Sequence, residues 1–125
     1  MPMLESIKPH PSIPLAGAVR VGNMLYVSGQ VGYLPGTSEI VPGGVAAQTR
    51  QALENIRAIL EEAGSSLNHV VKTTVILTDV QRDFAVMNQV YAEVFGDHRP
   101  ARTTLGAALA RPGLEVEIEC IAVIP

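Results

Sequence analysis

Several residue types are scarce in this chain of 125 residues. A single cysteine excludes an internal disulfide framework and a cysteine-cluster metal site. Tryptophan is absent and aromatic residues make up only 4% of the chain, which leaves the core to Val, Ile, Leu and Ala. No apolar run reaches the roughly 18 residues of a membrane span, and residues 1–5 lack the basic start of a signal peptide. These absences predict a cytoplasmic protein with no membrane partner.

Charge is also sparse, at 17% of residues, with a net charge of -3. Proteins that bind nucleic acid usually carry a basic excess to neutralise phosphates, so we expect no nucleic-acid partner. The hydrophobic content of 47% is too high for a disordered chain, and the length predicts one domain over residues 1–125. The cationic residues are mostly arginine, whose planar guanidinium binds a carboxylate through two N–H groups better than lysine does.

Sequence periodicity predicts two helices and a sheet. The predicted elements are strands at 24–27, 70–78, 102–110 and 116–124, helices at 45–63 and 81–95, and an extended proline-rich segment at 1–14. Asp79 is the expected cap of the second helix, and Gly64 and Gly96 are the expected ends of the two helices. Two helices cover only one face of such a sheet, and its other face is also largely apolar. The sequence therefore predicts association through the bare face.

Arg102 is the first candidate for chemistry, because it follows Pro100 at the start of a predicted strand. Strand alternation places Thr104 on the same face, followed by small residues that leave space beside the guanidinium. Such an arginine suits a ligand carboxylate. A solvated strand end or an ordinary salt bridge is the plainer interpretation.

Glu119 is the second candidate, the innermost of three acids that run into an apolar row on the last predicted strand. Partial desolvation there would raise the pKa of its carboxyl group, which suits proton transfer near neutral pH. An exposed acidic edge or a structural partner for an arginine is the alternative. Because the two predicted strands are consecutive, Arg102 and Glu119 are expected to meet across a hairpin.

Weaker candidates complete the residue-level view. Asn88 lies on the inner stripe of the second helix with Phe84, where it either lines a site or ties down a loop. Gly29 ends a strand and either lets the backbone approach a ligand or forms an ordinary turn. Cys120 faces away from Glu119, as a core residue does. The three histidines are scattered and no nucleotide or nucleophile motif is present, so we expect neither metal nor cofactor.

Six stretches resemble signatures of the Rid (YjgF) family of enamine/imine deaminases, also called the L-PSP endoribonuclease family. They are residues 21–30 (VGNMLYVSGQ), 48–56 (QTRQALENI), 71–75 (VKTTV), 83–91 (DFAVMNQVY), 100–104 (PARTT) and 116–123 (VEIECIAV). They occur in family order and spacing, from about residue 10 to the C-terminus. The resemblance implies an α+β, chorismate-mutase-like domain whose mixed sheet carries two helices on one face. It also implies a homotrimeric barrel with sites between subunits.

The resemblance further implies hydrolysis of imines such as 2-iminopropionate, formed from 2-aminoacrylate, to 2-oxo acids and ammonia. By motif, Arg102 would bind the carboxylate and Glu119 would position water. Gly29, Phe84, Asn88 and Thr104 would line the site, with Thr104 where the family often has cysteine.

One position departs from the family pattern. Leu15 stands where the archetypal deaminases have a tyrosine that contacts the ligand, so a different or bulkier imine is expected. A deaminase of 2-aminomuconate-type enamines and a non-catalytic carboxylate-binding module remain alternatives. An endoribonuclease or translation inhibitor is disfavoured by the acidic charge balance.

Overall fold

Six strands and two α-helices make up the fold. The computed structural model describes residues 3–125, so Met1 and Pro2, at the start of the segment inspected for a signal peptide, lie outside it. The elements are β1 (Leu4–Pro9), β2 (Ala16–Val21), β3 (Met24–Val31), α1 (Gly44–Glu62), a 3-10 turn (Leu67–His69), β4 (Val70–Leu77), α2 (Val80–Phe95), β5 (Ala101–Gly106) and β6 (Val116–Val123). The first two strands lie in and just beyond the segment whose prolines predicted only an extended chain.

Both helices form where the sequence predicts them. α1 buries an apolar stripe that includes Leu53, Ile56 and Leu60, and it ends just before Gly64, whose φ of 85° closes the helix. The Asp79 side chain caps α2 by accepting a hydrogen bond of 3.1 Å from the backbone N–H of Arg82. Gly96 ends α2 as predicted.

The strands form one mixed sheet in the order β1-β2-β3-β6-β4-β5. β5 is parallel to β4, because α2 carries the chain back across the sheet between them, while β6 pairs antiparallel with both β4 and β3. The expected hairpin between the last two strands is therefore wrong, since β4 lies between them. β5 also ends at Gly106 rather than at residue 110. The N–H of the next residue, Ala107, bonds to the carbonyl of Leu77.

The sheet has two unlike faces, which we call the helix face and the open face. Along β6 the buried residues Val116, Ile118, Cys120 and Ala122 alternate with the more exposed Glu117, Glu119, Ile121 and Val123. The helix face is the core. Burial raises the pKa of the Cys120 thiol to about 12, so this residue is a protonated core side chain as expected.

The open face keeps apolar side chains in contact with solvent. Tyr26 on β3 is paired with Ile121 and is 48% exposed, and Leu105 on β5 is 40% exposed. Across residues 3–125, no helix combines the length and the apolar character that crossing a membrane requires.

Candidate active site

Arg102 lies on the helix face of the edge strand β5. Its strand partner is Thr73, a buried residue of β4. The guanidinium carbon is 4.9 Å from the ring centroid of Tyr91 and 5.8 Å from that of Phe84. The Nη1 atom is 3.9 Å from the Met87 sulfur. α2 therefore holds this cation against two aromatic rings and a thioether, all of which attract it without neutralising its charge.

Arg102 carries no internal counter-ion. Within residues 3–125, no Asp or Glu oxygen comes within 4.0 Å of its guanidinium nitrogens. The ordinary salt bridge that was the plainer interpretation is thus not formed within the described chain. A half-buried guanidinium in this state keeps its forked donors available for an external carboxylate.

The Thr104 hydroxyl is the second unsatisfied group. It lies two residues further along β5, opposite Val75 of the helix face. Its Oγ1 atom is buried and has no hydrogen-bond partner in the part of the chain described, a condition shared only with Thr49 on α1. Buried hydroxyl groups are normally bonded, so the atom is suited to a ligand or an ordered water.

A cavity of about 340 Å³ opens between α2 and the start of β5. It is lined by Asn88, Tyr91, Ala92, Phe95, His98, Arg99, Pro100 and Arg102. Asn88 thus lines the same cavity as Arg102, the first of the two roles considered for it. Phe84 is not in the buried stripe that the periodicity predicted. It is 42% exposed, because its position on α2 turns it toward the edge strand, where its ring faces Arg102.

Tyr91 connects the core to the site. Its hydroxyl lies 2.8 Å from the hydroxyl of Thr73, and its ring packs 4.6 Å from that of Phe95. Burial raises the pKa of its phenol, which therefore stays protonated at neutral pH. The sequence signal for Tyr91 as a site residue was its place three positions after Asn88 on the second helix. Its stacking on Arg102 could not be predicted, because it depends on how α2 crosses β5.

Glu119 does not meet Arg102 within the chain. Its strand partner is Thr74, one residue beyond the Thr73 that pairs with Arg102. An offset of one residue places the two side chains on opposite faces of the sheet. Glu119 is also exposed, so its expected desolvation is wrong for the single chain.

Gly29 lies beside the β6 acids, and Leu15 lies on the exposed segment that leads into β2. A Cβ atom at Gly29 would be 2.7 Å from the Oε2 atom of Glu117, so glycine makes room for this carboxylate. The Ser28 hydroxyl donates to the carbonyl of Ala16 at 2.6 Å, which ties β3 to the residue that follows the exposed Leu15. The expected site residues thus form two groups, one around Arg102 and one around Glu119.

Comparison with known proteins places the chain in a family. The family model described as Endoribonuclease L-PSP matches residues 6–124. The chain belongs to this family. A RutC family protein of Pyrococcus horikoshii is 50% identical over 114 residues, which cover 91% of this chain and 90% of that protein. These matches confirm the resemblance inferred from the motifs.

Two further relatives of this L-PSP family chain are a named deaminase and a protein of known structure. A mouse protein named 2-iminobutanoate/2-iminopropanoate deaminase is 46% identical over 110 residues, covering 88% of this chain and 81% of its own. The crystal structure of RidA from an Antarctic Psychrobacter has a TM-score of 0.84 at 44% identity, covering 97% of this chain and 98% of that one. The expected fold class, a mixed sheet with two helices on one face, is confirmed.

Glu117 offers a pH-dependent test of the group around Glu119. Burial, and then the nearby charge of Glu119, raise the pKa of Glu117 above its ordinary value. Because the pKa of Glu117 is higher in the folded state than in the unfolded state, the folded state binds this proton more tightly. The free energy of unfolding therefore falls as the pH rises through the folded-state pKa. We expect Glu117→Gln to increase the free energy of unfolding by about 0.5 kcal/mol at neutral pH, discounted for solvent screening. The gain should disappear at acid pH.

Urea denaturation at acid and neutral pH measures this difference. Glu61→Gln is the matched control, because Glu61 is an exposed carboxylate on α1. A gain that is equal at both pH values, or equal in the control, would contradict the assignment to Glu117.

Proposed function

We propose that this protein hydrolyses 2-imino acids of the 2-iminopropionate and 2-iminobutanoate type to 2-oxo acids and ammonia. The observation that carries the proposal is Arg102, a guanidinium without a counter-ion among residues 3–125, on the same face of β5 as the Thr104 hydroxyl, which also has no partner there. A substrate of this class supplies the carboxylate that the guanidinium lacks. The name of the mouse relative, a deaminase of such imines, supports the same substrate class.

The reaction requires only a few side chains of the protein. Arg102 binds the carboxylate through two parallel N–H···O bonds, which orients the adjacent C=N group. Water adds to the electrophilic imine carbon, the C–N bond breaks, and the carbon becomes the carbonyl of the 2-oxo acid. Glu119 takes a proton from the water as it adds and passes it to the imine nitrogen, then carries the proton of the new hydroxyl group to the same nitrogen, which leaves as ammonia. Thr104 donates to a substrate oxygen, and the sequence offers no motif for a cofactor.

The proposed site is shared between protomers of a trimer. Arg102 and Glu119 point to opposite faces of one sheet, so one chain cannot present both to one substrate. Packing the open faces of three chains into a barrel would bring Glu119, Gly29 and Leu15 of one protomer toward Arg102 of the next. The exposed Tyr26 and Leu105 on the open face support burial of that surface.

A turnover assay on Arg102 tests the function. The wild type is expected to release pyruvate from freshly generated 2-aminoacrylate faster than the spontaneous reaction. Arg102→Ala should lower kcat/KM by about 100-fold, because both the charge and the fixed orientation are lost. Arg102→Lys should recover only part of this, since lysine lacks the planar fork. Arg57→Ala, on the solvent side of α1 next to Glu54, is the control for general effects of charge.

A carboxylate-binding protein without turnover is the second candidate. It is favoured by the exposed position of Glu119 and by Leu15, which supplies no hydroxyl to a ligand. Binding of pyruvate that depends on Arg102, with no acceleration for any imine tested, would select this function over hydrolysis.

A further inference from the structure

The cavity beside Arg102 contains a second arginine, Arg99, from the segment that enters β5. None of the residues lining this cavity is acidic. Apart from the two guanidinium groups, its wall is largely the rings of Tyr91 and Phe95 with Ala92 and Pro100. An elongated ligand with an anionic group at each end and a carbon chain between them matches this distribution of charge.

Arg99 is positioned by its own backbone rather than by an acid. Its Nη1 atom donates to the carbonyl of Gly96, and to that of His98 at 3.4 Å. Within residues 3–125, no Asp or Glu oxygen lies within 4.0 Å of its side-chain nitrogens. The Nε and Nη2 donors therefore stay available, and Pro100 limits the conformations of the chain between the two arginines.

His98 is not the second anion-binding group. Its Nε2 atom lies 2.7 Å from the carbonyl oxygen of Val70, and a carbonyl only accepts, so this nitrogen carries the proton and donates it to β4. Arg99 and Arg102 are thus the two permanently charged cations that line this cavity. Three residues of extended chain span at most about 10 Å, a distance that two arginine side chains and a short diacid bridge.

We infer that the preferred substrates are 2-imino acids with a second carboxylate at the far end of a short chain. Arg102 takes the carboxylate next to the imine, and Arg99 takes the distal one. The inference rests on the proposed function for its reaction, but the binding it describes can be measured without turnover.

Two product analogues of equal length test the binding. 2-Oxoglutarate and 2-oxopentanoate share a five-carbon chain and differ in the distal carboxylate. We expect the wild-type protein to bind the diacid about tenfold more tightly by calorimetry, the effect of one charge-assisted contact at a partly exposed site. Arg99→Gln should remove this preference and Arg99→Lys should keep part of it. Arg57→Gln removes the same single positive charge at a residue that does not line the cavity, and it should preserve the preference for the diacid.

Equal affinity of the wild type for both acids would overturn the inference. It would also be overturned if Arg99→Gln and Arg57→Gln reduced the preference by the same factor, since that points to long-range charge. The corresponding imines, generated in situ by an amino acid oxidase, form the turnover arm. A diacid preference in binding with no accelerated hydrolysis of either imine would refute the proposed function and leave the ligand class standing. Hydrolysis of both imines at equal kcat/KM would refute the inference and leave the function standing.

Discussion

An equimolar mixture of Arg102→Ala and Glu119→Ala chains, unfolded and refolded together, is expected to regain about a quarter of the wild-type activity. Each variant alone should be nearly inactive. The reason is the placement of the two residues on opposite faces of the sheet. In the proposed trimer, each site would take its arginine and its glutamate from different protomers. A site is intact when a Glu119→Ala chain supplies the arginine and an Arg102→Ala chain supplies the glutamate. Random assembly gives this arrangement at one site in about four.

The measurement is 2-oxo acid release at a fixed total protein concentration. Its control is the same two variants refolded separately and assayed immediately after mixing, before subunits exchange. Activity that stays at the level of the separate variants after joint refolding would show that no site combines Arg102 and Glu119 from different chains. The oligomer itself is checked by light scattering, where a trimer is expected.

Gly32→Ala, which adds one methyl group directly after β3, is expected to cause a large loss of stability. A Cβ atom there would lie 2.7 Å from the Cα and 2.8 Å from the Cβ of Gln48, so the backbone of α1 would have to move. The buried Gln48 also holds the start of β6, accepting from the N–H of Glu115 at 2.8 Å and donating to the carbonyl of Gly113 at 3.0 Å. We expect a loss of about 3 kcal/mol in the free energy of unfolding, measured by urea denaturation.

Gly29→Ala is the matched control three residues earlier. The three atoms nearest to its Cβ all belong to the flexible side chain of Glu117, so the stability cost should be about 0.5 kcal/mol. Displacing that carboxylate, in the group around Glu119, should lower turnover about tenfold. If the two alanine variants lose equal stability, the close approach of β3 to α1 is not what requires glycine at position 32.

Local elements were predictable because their causes are local. The apolar spacing of α1, the Asp79 cap and Gly96 each act within a few residues, and all three appear in the structure as expected. The order of strands was not predictable in this way. β5 and β6 are consecutive in sequence, yet β4 separates them. The parallel β5 pairs with one edge of β4, and the antiparallel β6 pairs with the other edge.

The same limit applies to the candidate site. Arg102 stood out because it begins a predicted strand whose next residues on the same face leave space beside the guanidinium, and in the structure its guanidinium lies over the ring of Tyr91. The contribution of Tyr91 depends on the crossing of α2 over β5, which no periodicity encodes. The relation between Arg102 and Glu119 depends on the register of β4 with both neighbours, and an offset of one residue decides it.

The central place of β6 also bears on how the chain folds. Until β6 docks, the sheet consists of two separate pieces, the β1-β2-β3 meander and the parallel β4-β5 pair, with no strand contact between them. Docking pairs Met24 with Val123, near opposite ends of the chain, so most of the loop-closure entropy must be lost before this pairing stabilises anything. One segment of eight residues therefore joins the two halves of the sheet into a single hydrogen-bonded unit.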